Sequence, residues 1–546
     1  MKLDYKKTIL VGFAFFLISA FWQAYDAIVP LILTNHYGLS QTLSGAVMSF
    51  DNVLAVFLLP VFGAISDKVN SRWGRRTPFI FVGTILAVVA FIMLTFIDNY
   101  QLSAVVGSVQ EMNFESFGAL RESVDTLAAS VSDNASLSIL ASAESGALNE
   151  LLAATDIPAQ YGAADTLRGA IYDLMAEARA TSNDALVTVA NAQLDLVDKL
   201  FGEIAAATFA ITAKNVLPLI GFIAMLLIVL VSMAIFRSPA VALMPDVTVK
   251  PLRSKGNAII NLMGTAGGII VLVLGMVFST KRIYMEYTWY VAAVCAVMLT
   301  GLLIFIFTVK EKLWADAMLA DTARLEALEP KEEAPTAEAR KLSREELKSL
   351  ILILASVALW YIGYNSITSK YSVYATRELG FDYNLTLIIA QAAAVVAYIP
   401  VGIVSSKFGR RRTILAGIVM LASAFFIGNF ITPLVPELLM YPVFILAGIG
   451  WATINVNSFP MVVELSRGGD VGKYTGYYYT ASMAAQIVAP NLSGILYDLI
   501  GMRKVFFIFG TVFVALSFVT MFFVKHGDAK AERVGALEAL AGANDD

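Results

Sequence analysis

Gly63-Ala-Ile-Ser-Asp67-Lys68, followed shortly by Gly74-Arg75-Arg76, returns near residue 400 as Gly402-Ile-Val-Ser-Ser406-Lys407-Phe-Gly409-Arg410-Arg411-Arg412. Each copy closes one long apolar stretch, makes a short cationic turn and opens another apolar stretch. A chain that writes the same apolar hairpin twice carries an internal duplication. Duplicated apolar hairpins predict an all-α membrane protein built from two related halves.

The composition agrees. Of 546 residues, 58% are hydrophobic and 15% charged, and the mean hydropathy is +0.71. A soluble domain of this size cannot hide so much apolar surface, whereas helices of about 20 apolar residues cross a bilayer. Twelve such stretches can be placed, the first over 9–33 and the last over 504–524, six in each half. The start, Met-Lys-Leu-Asp-Tyr-Lys-Lys, has the basic character of a signal-peptide n-region. The apolar run behind it is too long and lacks a small-residue cleavage site, so a retained first span is expected. Most of the 39 Lys and Arg fall in the termini and in the loops on their side, which predicts both termini in the cytoplasm of a multi-pass protein of the cytoplasmic membrane.

The expected organisation is 1–97 (spans one to three), 98–214 (an extracytoplasmic insertion), 215–308 (spans four to six), 309–347 (a cytoplasmic linker), 348–524 (spans seven to twelve) and 525–546 (a tail). The insertion holds 16 Asp and Glu against 5 Lys and Arg, so it carries the acidity of a chain whose overall net charge is only −4. Its apolar residues recur at helical spacing, as in Phe117, Leu120, Val124, Leu127 and Val131, and again in Leu167, Ile171, Leu174 and Ala178. Such stripes need partners, so a small antiparallel bundle of about four helices is expected, the last running toward Pro218.

Cys295 is the only cysteine, and His36 and His526 are the only histidines, which argues against disulfides and His-rich metal sites. No phosphate-loop motif and no nucleophile–base pair is present, so neither an ATP-driven machine nor an enzyme is expected, and no cofactor.

The repeated turn resembles the signature of the major facilitator superfamily. The longer spacing of the first copy, Ser66 to Pro78, is similar to that of its glycoside–cation symporters and sucrose-transporter-like members. Phe236-Arg-Ser-Pro-Ala-Val-Ala-Leu-Met-Pro-Asp246, the stretch from Gly450 to Glu464, and Gly472-Lys-Tyr-Thr-Gly-Tyr-Tyr-Tyr479 are similar to the same group. The resemblance covers nearly everything outside the insertion. It implies a twelve-helix fold of two six-helix halves, and a cytoplasmic gate that locks the inner side when the outer side is open. Gate residues would be Gly63, Asp67, Arg72, Gly74, Arg75, Arg76, Asp246 and Arg253, with Arg237 near the inner end of its span. Gly402, Lys407, Gly409, Arg410 and Arg411 are their counterparts in the second half. Ser406 stands where the first copy has Asp67, so a weaker second lock is expected.

Charges within spans are costly, about 2.5–3.5 kcal/mol each at mid-helix, and mark function by default. Asp26 lies seven residues before the outer end of the first span and Asp51 eight after the outer start of the second. At 1.5 Å rise per residue both sit roughly 11 Å below the outer surface and can share a cavity. Two carboxylates at one depth repel, which favours a shared proton; with Asn52 they could instead cage Na⁺. Lys370, from the seventh span, could neutralise one of them.

Sugar recognition needs aromatic faces with amides or hydroxyls around them. The seventh span offers Tyr361, Tyr364, Asn365 and Thr368; the tenth offers Trp451, Asn455 and Ser458, ahead of Pro460, which should interrupt the helix. Gln391, Gln486 and Asn491 add polar groups. The function expected from these readings together is H⁺-coupled (or Na⁺-coupled) symport of a sugar or glycoside by alternating access. The protein would be a monomer in the lipid bilayer without nucleic-acid partners. Two alternatives share the sequence: a proton-coupled exporter of amphipathic compounds, and a non-transporting receptor or scaffold displaying the insertion.

Overall fold

The computed structural model describes residues 3–108, 114–131, 134–249, 252–328, 343–433, 435, 437–465 and 471–527. Residues 329–342 of the linker and the tail beyond 527 thus lie outside the described residues. Twelve crossings follow one another. The first half comprises α1 (Tyr5–Leu31), α2 (Gln41–Met48) with α3 (Phe50–Lys68) as one broken span, α4 (Thr77–Val106), α9 (Leu217–Val247), α10 (Arg253–Val277) and α11 (Thr288–Thr308). Between α4 and α9 stand α5 (Glu115–Ser130), α6 (Ala135–Ala153), α7 (Ile157–Ala180) and α8 (Asp184–Lys214). After the linker helix α12 (Glu311–Leu328), the second half comprises α13 (Arg344–Thr368) with the short α14 (Tyr371–Tyr374), α15 (Tyr383–Phe408), α16 (Arg410–Gly428), α17 (Met440–Val463), α18 (Val471–Ile500) and α19 (Met502–Phe522). Eleven of these helices are long and apolar enough to cross a membrane, and α15 contributes the shorter apolar stretch Tyr383–Tyr398.

Local chemistry sets the helix starts. Asp4, Ser40, Asn134, Asp156, Asn183 and Asp382 each accept a backbone N–H of the following first turn, and Ser343 with Glu346 forms a reciprocal capping box. Pro218 sits in the first turn of α9, where its missing N–H costs nothing, so α8 and α9 are separate helices parted at Asn215–Val216. One expectation fails: α17 runs through Pro460 to Val463 without interruption. Burial of its neighbours Ser458, Met461 and Val462 holds the helix together past the lost hydrogen bond.

In the segment between α4 and α9, Leu120, Val124 and Leu127 of α5 pack with Leu167, Ile171 and Leu174 of α7 and with Ala190, Leu194 and Val197 of α8. This four-helix bundle rests on both halves. On the first, Thr212 Oγ1 donates to the Tyr37 carbonyl at 2.9 Å, and Tyr161 meets Tyr284 edge-on. Beneath it, buried His36 and Asp98 face each other at 2.7 Å. On the second, Arg503 lies 3.3 Å from Asp198 and donates to Tyr172 Oη at 2.9 Å, Lys504 lies 3.2 Å from Asp195, and Arg168 donates to the Arg377 carbonyl.

The halves meet closely at that same end. Gly45 of α2 lies so near the Pro490 carbonyl, and Gly494 so near the Gln41 carbonyl, that a Cβ would clash at either. At the opposite end, which carries the N-terminus and the repeated turns, α3 packs chiefly on α9, with fewer contacts to α18, and leaves Phe57, Val61 and Ile65 exposed. On α15, Ile403, Val404 and Phe408 are likewise exposed. The closest packing between the halves is therefore at the insertion end, while α3 and α15 carry exposed apolar residues at the other.

Candidate functional site

Asp26 is the exposed residue in a buried stretch of α1, with Ala24, Tyr25, Ala27 and Ile28 all fully or nearly fully covered. Its carboxylate faces the space between the halves. Asp51 lies in the first turn of α3, just past the Ser49 break, and its Oδ1 accepts both the backbone N–H (2.5 Å) and the side-chain amide (2.7 Å) of Asn52. The two aspartates are within electrostatic reach of each other, and Tyr25 stands in the field of both. Asp26 also acts on Tyr364 of the second half, so the acidic pair and the aromatic residues of α13 lie near each other across the boundary between the halves.

Two expected placements need correction. Lys370 does not neutralise this pair: it is fully buried in the turn between α13 and α14, and its Nζ donates to Ser44 Oγ at 2.7 Å. The end of α13 at Thr368 turns it toward the insertion end. Arg237 does not belong to the gate. Its guanidinium lies over the Trp22 ring, 5.5 Å from the centroid, and it is the cation whose charge acts on Asp51. Trp22 and Arg237 beside the acidic pair, and Gln23 one position on, were missed by sequence reading; the aromatic and polar neighbours of Asp26 in α1 were the available signal.

In the second half, Tyr364 and Trp451 stack in parallel with centroids 3.6 Å apart, and Tyr361 meets Trp451 edge-on at 5.3 Å. Stacking of that kind fixes an aromatic wall. Tyr361 Oη and Asn455 Oδ1 are buried without a hydrogen-bond partner, whereas Asn365, Thr368 and Asn491 donate to carbonyls one turn back in their own helices. Gln391 Nε2 reaches across the halves to Gln23 Oε1 at 2.6 Å, beside Gly268, which lacks the Cβ that would crowd them. Gln486 is half-buried on α18. Ser458 is a correction: fully buried, it pairs with Tyr478 Oη at 2.9 Å and serves helix packing rather than the cavity.

The repeated turns are structural counterparts down to single bonds. Ser66 Oγ donates to the Gly63 carbonyl at 2.8 Å and Ser405 Oγ to the Gly402 carbonyl at 3.0 Å. Gly74 and Gly409 adopt φ of +112° and +90°, which a side chain would strain. In the first turn Arg76 binds Asp67 at 2.5 Å and Asp246 at 2.8 Å, with Arg75 at 3.7 Å from Asp246. Arg72 lies over the ring of Trp73, and Lys407 is exposed.

Arg253 stays out of that ion cluster and donates instead to the carbonyls of Thr248 and Pro245, bracing the α9–α10 turn. The second turn does keep an acidic partner, since Arg410 pairs with Glu464 at the end of α17, and Arg411 donates to the Phe522 carbonyl. Loss of an aspartate at Ser406 is thus offset by a carboxylate about fifty residues away, invisible to a local comparison of the two motifs. Sequence reading also missed Glu311: its carboxylate accepts the backbone N–H groups of Arg75, Arg76 and Thr77 at 2.6–2.8 Å, capping α4 from the linker helix.

The family model of the Major Facilitator Superfamily matches residues 5–143 and 383–541, more than half of the chain, and the chain belongs to that superfamily. Solved structures of similar fold include the inward open conformation of the xylose transporter XylE from E. coli, at 12% identity over 96% of this chain and 97% of that one, with a TM-score of 0.53. A POT family transporter in complex with 5-aminolevulinic acid matches at 10% identity over 95% and 96%, with a TM-score of 0.56. A D-xylose-proton symporter matches at 12% over 96% and 99%, with a TM-score of 0.53. The protein is a multi-pass membrane transporter of the twelve-helix type.

Proposed function

We propose that the protein is a secondary active symporter that moves a sugar or glycoside together with H⁺ across the cytoplasmic membrane, with the termini and the repeated turns on the cytoplasmic side. The observation that carries this reading is the proximity, across the boundary between the halves, of the Asp26–Asp51 pair to the Tyr364–Trp451 stack. The aspartates supply a site that gains and loses a proton, and Arg237 is placed to compete with that proton for Asp51. The aromatic wall suits the C–H face of a sugar ring, and the unpartnered Tyr361 Oη and Asn455 Oδ1 suit its hydroxyls.

Coupling follows from electrostatics. With Asp26 and Asp51 both ionised, moving the cavity across the low-dielectric barrier carries uncompensated charge; a proton and a solute bound together remove that penalty. A membrane potential contributes about 2.3 kcal/mol per positive charge moved inward per 100 mV.

The test is uptake of radiolabelled sucrose, maltose and other glycosides into energised vesicles, with a protonophore control and the Asp51→Asn variant. Accumulation abolished by both supports the reading. If energised wild-type protein accumulates none of the panel, the sugar assignment fails. Efflux that stops when the gradient is collapsed would favour an exporter.

A further inference from the structure

At the end that carries the repeated turns, where α4 begins and α11 ends, Arg72, Trp73, Thr77, Ile306, Val309, Lys310 and Lys312 enclose a cavity of about 460 Å³. Three of its residues, Arg72, Lys310 and Lys312, are exposed cations, and none has a carboxylate partner among the described residues. Two acids lie nearby. Glu311 turns inward and is occupied by the α4 backbone, which leaves Asp316 as the single rim carboxylate against three positive charges.

The cavity adjoins the lipid-facing surface. α4 and α11 pack on each other, and both carry outward apolar residues: Val82, Leu86 and Val89 on one, Leu303 and Phe307 on the other. Trp73, 42% exposed and braced edge-on against Phe81 at 5.9 Å, marks the level where indole rings settle between headgroups and acyl chains. A basic pocket at the end of a lipid-facing helix pair, with an interfacial tryptophan at its rim, matches one ligand chemistry: a phosphate ester with acyl chains attached.

We propose that this cavity binds the headgroup of an anionic phospholipid, with Arg72, Lys310 and Lys312 contacting the phosphate and the chains lying along α4 and α11. The site lies apart from the central cavity, and its occupancy does not depend on which solute is carried.

The test uses full-length protein in neutral detergent, examined by native mass spectrometry while phosphatidylglycerol or phosphatidylcholine with the same acyl chains is added. Wild-type protein should retain one phosphatidylglycerol in preference to phosphatidylcholine. Glycerol 3-phosphate, which lacks the chains, should not displace it. The variant R72Q/K310Q/K312Q should lose that preference, about tenfold or more in affinity. A control with equal charge loss at the opposite end, K214Q/K281Q/R282Q, should keep it. Should the triple variant fail to fold, Lys312→Gln alone is measured, with a smaller loss in the same direction expected. Equal retention of the two lipids by wild type, undiminished preference in the variants at the cavity, or displacement by glycerol 3-phosphate would each overturn the proposal.

Discussion

Arg377 donates from Nε to Asn35 Oδ1 at 2.7 Å and from Nη2 to the Thr34 carbonyl at 2.9 Å. Both partners lie in π-helical segments, Ala375–Leu379 and Ile32–His36, which occupy matching places beyond α13–α14 in the second half and α1 in the first. The duplication thus meets itself at the insertion end of the molecule. Asp498 adds to the seam by accepting the N–H groups of Gln41 and Thr42 at 2.8 Å each, where the α2 dipole favours a negative charge.

Removing the guanidinium should loosen this closure. Hydrogen bonds to a charged group contribute about 1.5–3 kcal/mol, so Arg377→Gln is expected to raise the population open at the insertion end about tenfold. Ser493, fully buried on α18, reports it: in a Cys295→Ser background, Ser493→Cys should react faster with a membrane-impermeant thiol reagent when Arg377 is replaced. Unchanged labelling would mean that the other ties of the seam, the packing at Gly45 and Gly494 and the Asp498 bonds, hold it without Arg377.

Arg237 and Asp51 should behave as a unit. Each single neutralisation leaves the other charge without its counterpart inside the bilayer, while the double variant removes both. Thermal stability of Arg237→Gln and Asp51→Asn should therefore fall by more in sum than in R237Q/D51N, with a coupling of about 1 kcal/mol or more. Additive losses would separate the two residues and return Arg237 to a role at the helix end.

Glu311→Gln tests the cap on α4. The carboxylate satisfies three backbone donors at a helix start, and its loss is expected to cost about 1–2 kcal/mol. The readout is faster hydrogen exchange at Arg75, Arg76 and Thr77. If those amides stay protected, the linker helix is not what orders the turn.

Inside the insertion bundle, Glu144 is fully buried beside Gln193, with no hydrogen bond of normal geometry to either carboxylate oxygen. Burial pushes its carboxyl from the ordinary 4.5 up to about 7, partly countered by Gln193. The folded bundle then holds this proton more tightly than the unfolded chain does. Its stability is full below about 4.5 and falls as pH rises to about 7, by an amount on the order of 3 kcal/mol. Exchange in Ala135–Ala153, corrected for intrinsic rates, should accelerate over that range and lose its pH dependence in Glu144→Gln.

Much of this architecture is legible in the sequence because membrane spans announce themselves by length and apolarity, and the repeated turn by glycine and charge. Depth along a helix can also be counted, which is how Asp26 and Asp51 come to be paired. What counting residues omits is direction around the helix axis and partners far away in sequence. Ser458 has the spacing of a cavity residue yet points at Tyr478. Arg237 counts as near a helix end yet turns toward Trp22. Glu311 and Glu464 act on turns from a different element altogether, which local motif comparison cannot see.

The bundle between α4 and α9 has no counterpart between α16 and α17, where the connection is short. A protein that rocks two related halves about one centre would, if the halves were true duplicates, spend comparable effort on opening either side. Here one side parts only where the repeated turns stand. The other must also separate Arg503 from Asp198, and Lys504 from Asp195, while the bundle stays attached to Tyr37. The duplication is therefore symmetric in geometry and lopsided in its ties: separation at the insertion end breaks ion pairs to the bundle that the end with the repeated turns does not have to break.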